Sequence, residues 1–141
     1  MNPPKPTNTT QLGHLSLASK PDALIEVEQL LEEIHNEFNF KDDAYGNIMV
    51  AVTEAVNNAI QHGNKNDSNK KVELSIYLDG FRLLVSVTDQ GAGFDEASLP
   101  DPTAPENLEK LGGRGVFLMK HLADDLIFNE QGRQVTMAFN I

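Results

Sequence analysis

The sequence predicts an α+β fold: a two-layer α/β sandwich in which a mixed, mostly antiparallel sheet carries helices on one face. Two observations predict it. Apolar residues alternate with period two in segments that fold back at glycine turns, and they recur at helical spacing in the longer segments between. The element order of strand, helix, helix, hairpin, loop, helix, hairpin then implies an antiparallel or mixed sheet with helices layered on one side.

Residues 1–11 hold three of the seven prolines and little that could be buried, so they are expected to form a flexible leader, with order starting near Leu12. Leu15 and Leu17 alternate with His14, Ser16 and Ala18 as in a short strand. Ser19-Lys20-Pro21-Asp22 supplies helix-start chemistry, and Leu24, Val27, Leu30, Leu31, Ile34 and Phe38 follow at helical spacing. A second helix is expected from about Asp42 to Gln61, with a core stripe of Ile48, Val52, Ala55 and Ala59 and with Gly63 placed to end it. From Val72 the period changes to two. Val72, Leu74, Ile76 and Leu78 point one way, Asp79-Gly80 turns the chain, and Phe81, Leu83, Val85 and Val87 resume the alternation. Asp95 to Glu109 includes prolines at 100, 102 and 105 and reads as a long surface loop of the kind that forms lids. The run from Gly112 to Gly115 opens a third helix, roughly Val116 to Ala123, and Leu126–Phe128 with Val135–Phe139 form a second hairpin around Gln131-Gly132.

Length and composition narrow the function. A chain of 141 residues suits one domain, residues 12–141, with a core large enough to need no disulfide or metal staple. With 21 acidic and 11 basic residues the formal charge is −10, which disfavours direct binding to nucleic acid and to anionic membranes. The absence of cysteine excludes disulfides, thiolate metal sites and cysteine nucleophiles, and is compatible with a reducing cytoplasm. No apolar run approaches the roughly 20 residues that span a bilayer.

Three constellations could carry chemistry. In Glu54-Ala-Val-Asn57-Asn58-Ala-Ile-Gln61-His62-Gly63, Glu54 and Asn58 stand four apart and share a helix face. A carboxylate beside an amide oxygen suits a hard cation. Magnesium takes few protein ligands, so the Asn58 carbonyl suffices and Glu54 remains free as a base. Taken alone this is also the pattern of a solvated helix face, although asparagines at 57 and 58 are poor helix formers. His62 reads better as a packing or capping residue than as a metal ligand. The second constellation is Asp89-Gln-Gly91-Ala-Gly93-Phe94-Asp95 at a strand end, where glycines let the backbone approach a flat ligand and the carboxylate can accept from an amine. It is equally the pattern of a plain turn. The third is Gly112-Gly113-Arg114-Gly115-Val116, a glycine run entering a helix, where free backbone amides and the helix dipole receive phosphate. Its spacing fits neither a Walker A loop nor a dinucleotide fingerprint.

Together, and in this order, Glu54xxxAsn58, Asp89xGly91xGly93 and Gly113xGly115 resemble the N, G1 and G2 boxes of the Bergerat-fold (GHKL) ATPases, which include the histidine kinases. Within that superfamily the chain is most similar to the anti-sigma factor serine-protein kinases, over roughly residues 12–141. The resemblance implies ATP and Mg2+ as cofactors. It makes Glu54 the catalytic base, Asn58 the magnesium ligand and Asp89 the reader of the adenine amine. Gly91, Gly93 and Phe94 would line the base and ribose, 95–111 would form the ATP lid, and Gly112, Gly113, Arg114, Gly115 and Val116 would hold the phosphates. One feature departs from the superfamily pattern: Arg133 and Gln134, rather than a threonine, follow Gly132, with Thr136 farther on.

The function implied is a cytoplasmic serine/threonine kinase. It would phosphorylate a STAS-domain anti-anti-sigma antagonist and otherwise sequester a sigma factor, with homodimerisation expected from relatives. The acidic surface suits basic partners. Two other readings stand beside it: a nucleotide-dependent binding module that never transfers phosphate, and an inert domain that kept only the fold.

Overall fold

The computed structural model describes residues 9–91, 113–129 and 133–141. The expected lid at 95–111 lies outside these residues, as do Gly93, Phe94, Gly112 and the turn at Gln131-Gly132.

Strand β1 (Thr10–Ala18) leads into helices α1 (Ala23–Phe38) and α2 (Asp42–Asn58). The hairpin β2 (Lys71–Asp79) and β3 (Arg82–Thr88) follows, then α3 (Gly113–Leu122), β4 (Asp125–Asn129) and β5 (Gln134–Asn140). The five strands form one sheet in the order β1-β2-β3-β5-β4. Every pairing among the described strands is antiparallel, so the sheet is not mixed. Strands β3 and β4, joined through α3, run in the same direction, but β5 lies between them and pairs antiparallel with both, so no described neighbours are parallel.

The alternation sorts the two faces. Leu74, Ile76, Leu83, Val85, Met137 and Phe139 point toward the helices and are buried. Against them pack Val27, Leu31 and Ile34 of α1 and Ile48, Val52 and Ala55 of α2, the residues expected from the helical stripes. Phe38 is the exception, 36% exposed at the end of α1. There Asn39 turns left-handed at φ 53° and its N–H closes the helix onto the His35 carbonyl. The His35 ring stacks on Tyr45 at 3.8 Å, tying the end of α1 to the start of α2.

Four boundaries differ from expectation for local reasons. The strand β1 begins at Thr10 because β2 is long enough to offer Leu78 and Tyr77 as partners for Thr10 and Gln11. Gly80, at φ 59°, is the first of two turn residues between Asp79 and Arg82, so Phe81 falls at the hairpin tip, 87% exposed instead of facing the core. Helix α3 starts at Gly113, so the glycine run is its first turn rather than a loop before it. The fourth difference is at the end of α2. The α-helical pattern stops at Asn58 and continues as one π-helical turn over Ala59–Gly63, closed by Asn64 N–H to the Ala59 carbonyl at 2.8 Å. Single π turns of this kind often mark functional positions. No helix among the described residues is long and apolar enough to cross a membrane.

Candidate functional site

Helix α2 presents Glu54 and Asn58 on one face, both half-buried. Among the described residues neither side chain has a hydrogen-bond or ion-pair partner, so both are free to meet a ligand. The described residues contain no group of three or more His, Cys, Asp or Glu side chains able to cage a metal. A cation here would therefore be held by few protein ligands and mostly by water and phosphate oxygens, which is the coordination magnesium favours. His62, expected to pack or cap, is instead exposed on the π turn.

The wide turn after Asn58 carries Gly63 against the end of β3, where Asp89 follows Thr88. The contact is close enough that a Cβ on Gly63 would collide with the Asp89 carboxylate, and one on Gly91 would collide with the Gly63 carbonyl. Gly91 is thus required by the approach of the Gly63 backbone, and Gly63 by the approach of the Asp89 side chain. The Asp89 carboxylate sits in this crossing. Its Oδ1 accepts from the Gly91 N–H at 2.8 Å, while Oδ2 has no partner among the described residues. Burial pushes the Asp89 carboxyl above its ordinary value; the Gly91 N–H, Arg133 and Lys70 pull it down without offsetting burial. A half-buried carboxylate with one oxygen unpartnered among the described residues can accept from an amine donor.

Gly91→Ala follows directly from this geometry. It is expected to destabilise the fold by about 1–3 kcal/mol through overpacking, which a thermal melt checks.

Glu54 and Asn58 stand one α-helical turn apart, and Gly63 ends the π turn that follows. Helix α3 packs on α2, and its first turn is formed by Gly113, Arg114, Gly115 and Val116. The first N–H groups of a helix have no partner inside it, and they favour anionic groups.

The last hairpin resolves the departure noted in the sequence. In the β3–β5 register Thr136 stands opposite Ser86, on the sheet face turned away from the helices, and so points away from Asp89. Arg133 takes the position beside Asp89 instead, its carbonyl accepting the Asp89 N–H at 2.9 Å. Motif reading missed Arg133, Gly63 as a packing partner, and Asn64. Asn64 is 1% exposed and receives a hydrogen bond from the Gln90 N–H. The signal available for these was a Gly-Asn pair closing a long helix, which by itself reads as a helix end.

Known proteins place this architecture. Residues 17–139 match the family model of the histidine kinase-like ATPase domain. The serine-protein kinase RsbW of Oceanobacillus iheyensis is 31% identical over 125 residues, 83% of this chain and 78% of that protein. RsbW of Listeria monocytogenes serotype 4b is 32% identical over 132 residues, 87% of this chain and 83% of that protein. RsbW of Bacillus subtilis is 28% identical over 137 residues, 92% and 86% of the two chains. Among solved structures, the RsbU and RsbW domains of a Mycobacterium tuberculosis protein share the fold with a TM-score of 0.62 at 20% identity, over 95% of this chain and 31% of that one. The motif order, the antiparallel sheet under α1 and α2, and the matched span of 17–139 agree: the chain belongs to the histidine kinase-like ATPase family, beside the RsbW serine-protein kinases.

Proposed function

We propose that this chain, acting as a single ATPase domain, transfers the γ-phosphate of ATP to a serine or threonine hydroxyl of a STAS-domain anti-anti-sigma protein. In its other state it holds a sigma factor. The observation that carries the reading is the half-buried Asp89 carboxylate, held at the Gly63–Gly91 crossing with one oxygen open, at the end of the helix that bears Glu54 and Asn58. In this reading Asp89 accepts from the adenine amine, and Gly91, with Gly93 and Phe94 beyond it, lets the base lie against backbone.

The N–H groups of Gly113, Arg114, Gly115 and Val116, with Gly112 before them, receive the phosphates at the helix terminus. Asn58 would hold Mg2+, which when bound neutralises charge on the phosphate oxygens. Glu54 takes the proton of the attacking hydroxyl. The new oxygen–phosphorus bond forms as the bond from the γ-phosphorus to the bridging oxygen breaks, and ADP leaves. The net charge of −10 suits basic surfaces on the partners. A cytoplasmic location and a homodimer complete the proposal, and light scattering reads the latter.

Titration calorimetry with ATP, with and without magnesium, followed by phosphate transfer to a STAS-domain protein, tests the proposal. Micromolar binding that weakens without metal is expected, and Asn58→Ala should bind about tenfold more weakly with magnesium while matching wild type without it. Binding with no transfer to any STAS protein would leave a nucleotide-dependent binding module. No heat at millimolar ATP, where a micromolar binder gains roughly 4 kcal/mol of stability, would overturn the nucleotide site itself.

A further inference from the structure

The described core holds two buried polar side chains, Ser19 and Asn64, and they bond to each other. Both polar atoms of the Asn64 amide are bonded. Its Nδ2 donates to Ser19 Oγ at 2.9 Å and to the Lys71 carbonyl at 3.0 Å, and its Oδ1 accepts the Gln90 N–H at 2.7 Å. Ser19 Oγ donates onward to the Lys70 carbonyl at 2.7 Å, and Gln90 Oε1 accepts the Lys71 N–H at 2.6 Å. One side chain at the end of the π turn thus joins the β1–α1 junction, the start of β2 and the end of β3.

The tethered Gln90 lies between Asp89 and Gly91, and Asn64 directly follows Gly63, which packs on both. The Asp89 carboxylate is therefore packed against Gly63 and bonded to the Gly91 N–H, while Asn64 holds the Gln90 backbone between the two residues. A buried amide left partly unpaired would be costly, so the network has one low-energy arrangement, and that arrangement sets where Asp89 points.

We infer that Asn64 is a positioning residue that fixes Asp89 and thereby sets the preference for adenine over guanine. This rests on the nucleotide reading above. Adenine offers an amine donor where guanine offers a carbonyl, so a fixed carboxylate accepts from one and repels the other, whereas a carboxylate free to swing away discriminates less.

The test is a double-mutant cycle on the full chain, reading the affinities of non-hydrolysable ATP and GTP analogues with thermal melts alongside. Asn64→Ala should weaken the ATP analogue about tenfold and shrink the ATP-over-GTP preference by a similar factor. In an Asp89→Asn background it should change either affinity by less than about twofold, because the group it positions is gone. Ser19→Ala removes a bond from the same network but leaves the Gln90 tether, so it should lower the melting temperature while keeping the ATP preference. Should Asn64→Ala fail to fold, Asn64→Ser carries the same expectation, since its hydroxyl is too short to reach the Gln90 N–H. Equal losses in the wild-type and Asp89→Asn backgrounds, or full ATP preference in the Asn64 variants, would overturn the role of Asn64. If wild type itself shows no preference for the ATP analogue, the adenine-reading role of Asp89 fails instead.

Discussion

Replacing Asp89 with asparagine is expected to weaken ATP binding by about 10- to 150-fold, the equivalent of one charge-assisted hydrogen bond, while leaving the nucleotide-free protein at least as stable at neutral pH. A carboxylate has two acceptor oxygens. One is occupied by the Gly91 N–H and the other is open for the base. An asparagine has a single oxygen, and its NH2 would face either the Gly91 N–H or the adenine amine, donor against donor. Without nucleotide the amide oxygen keeps the Gly91 bond, and the half-buried charge is gone. The pH dependence has a definite sign. Because burial raises the Asp89 carboxyl in the folded protein, its ionisation opposes folding. That opposition is absent below the ordinary carboxylate range, grows as pH rises through it, and is complete above the raised folded value. The melting temperature of Asp89→Asn should therefore match or exceed wild type at pH 7, with the difference closing in acid. A variant that bound ATP as tightly as wild type would remove Asp89 from base recognition.

Where local pattern and tertiary demand coincide, the sequence was a sufficient guide. The alternation from Val72 to Val87 is visible without a fold because each residue's face is set by strand geometry alone, and the stripe Ile48, Val52, Ala55 and Ala59 is visible for the same reason in a helix. The candidate residues Glu54, Asn58 and Asp89 could be named from sequence because each sits at a motif position of fixed spacing. Phe81 was misplaced because the two-residue turn is Gly80-Phe81, one position later than Asp79-Gly80, and the alternation alone does not fix which two residues form it. The π turn could not be read at all. Its cause is the approach of Gly63 to Asp89 and Gly91, residues more than 25 positions away in the chain, and nothing in Ala59–Gly63 itself asks for a wider turn. The same holds for Asn64, whose partners Ser19, Lys71 and Gln90 come from three separate elements. Its role is a property of the assembled fold, and a lone asparagine after a glycine is first of all a helix end.

Converting Glu54 to glutamine should abolish phosphate transfer while leaving nucleotide affinity within about twofold of wild type, the loss in rate being on the order of 10²- to 10⁴-fold for removal of a general base. Glutamine keeps the length and helix compatibility of glutamate. The half-buried Glu54 carboxylate has no partner among the described residues whose loss would disturb the fold. What disappears is the ability to take a proton. Radiolabelled transfer from ATP to a STAS-domain substrate reads the rate, and calorimetry on the same preparation reads the affinity. The contrast with Asn58→Ala gives the experiment its power, because Asn58 lies one helical turn away on the same face. If Asn58 holds the metal, its loss weakens binding and does so only with magnesium present. If Glu54 is the base, its loss spares binding and removes turnover. Both variants alter α2 at neighbouring half-buried positions, so a general disturbance of the helix would give them the same signature, and only separate roles in one site would give opposite ones. Transfer at the wild-type rate by Glu54→Gln would take the base out of the mechanism, and would point to a proton acceptor supplied by the protein substrate.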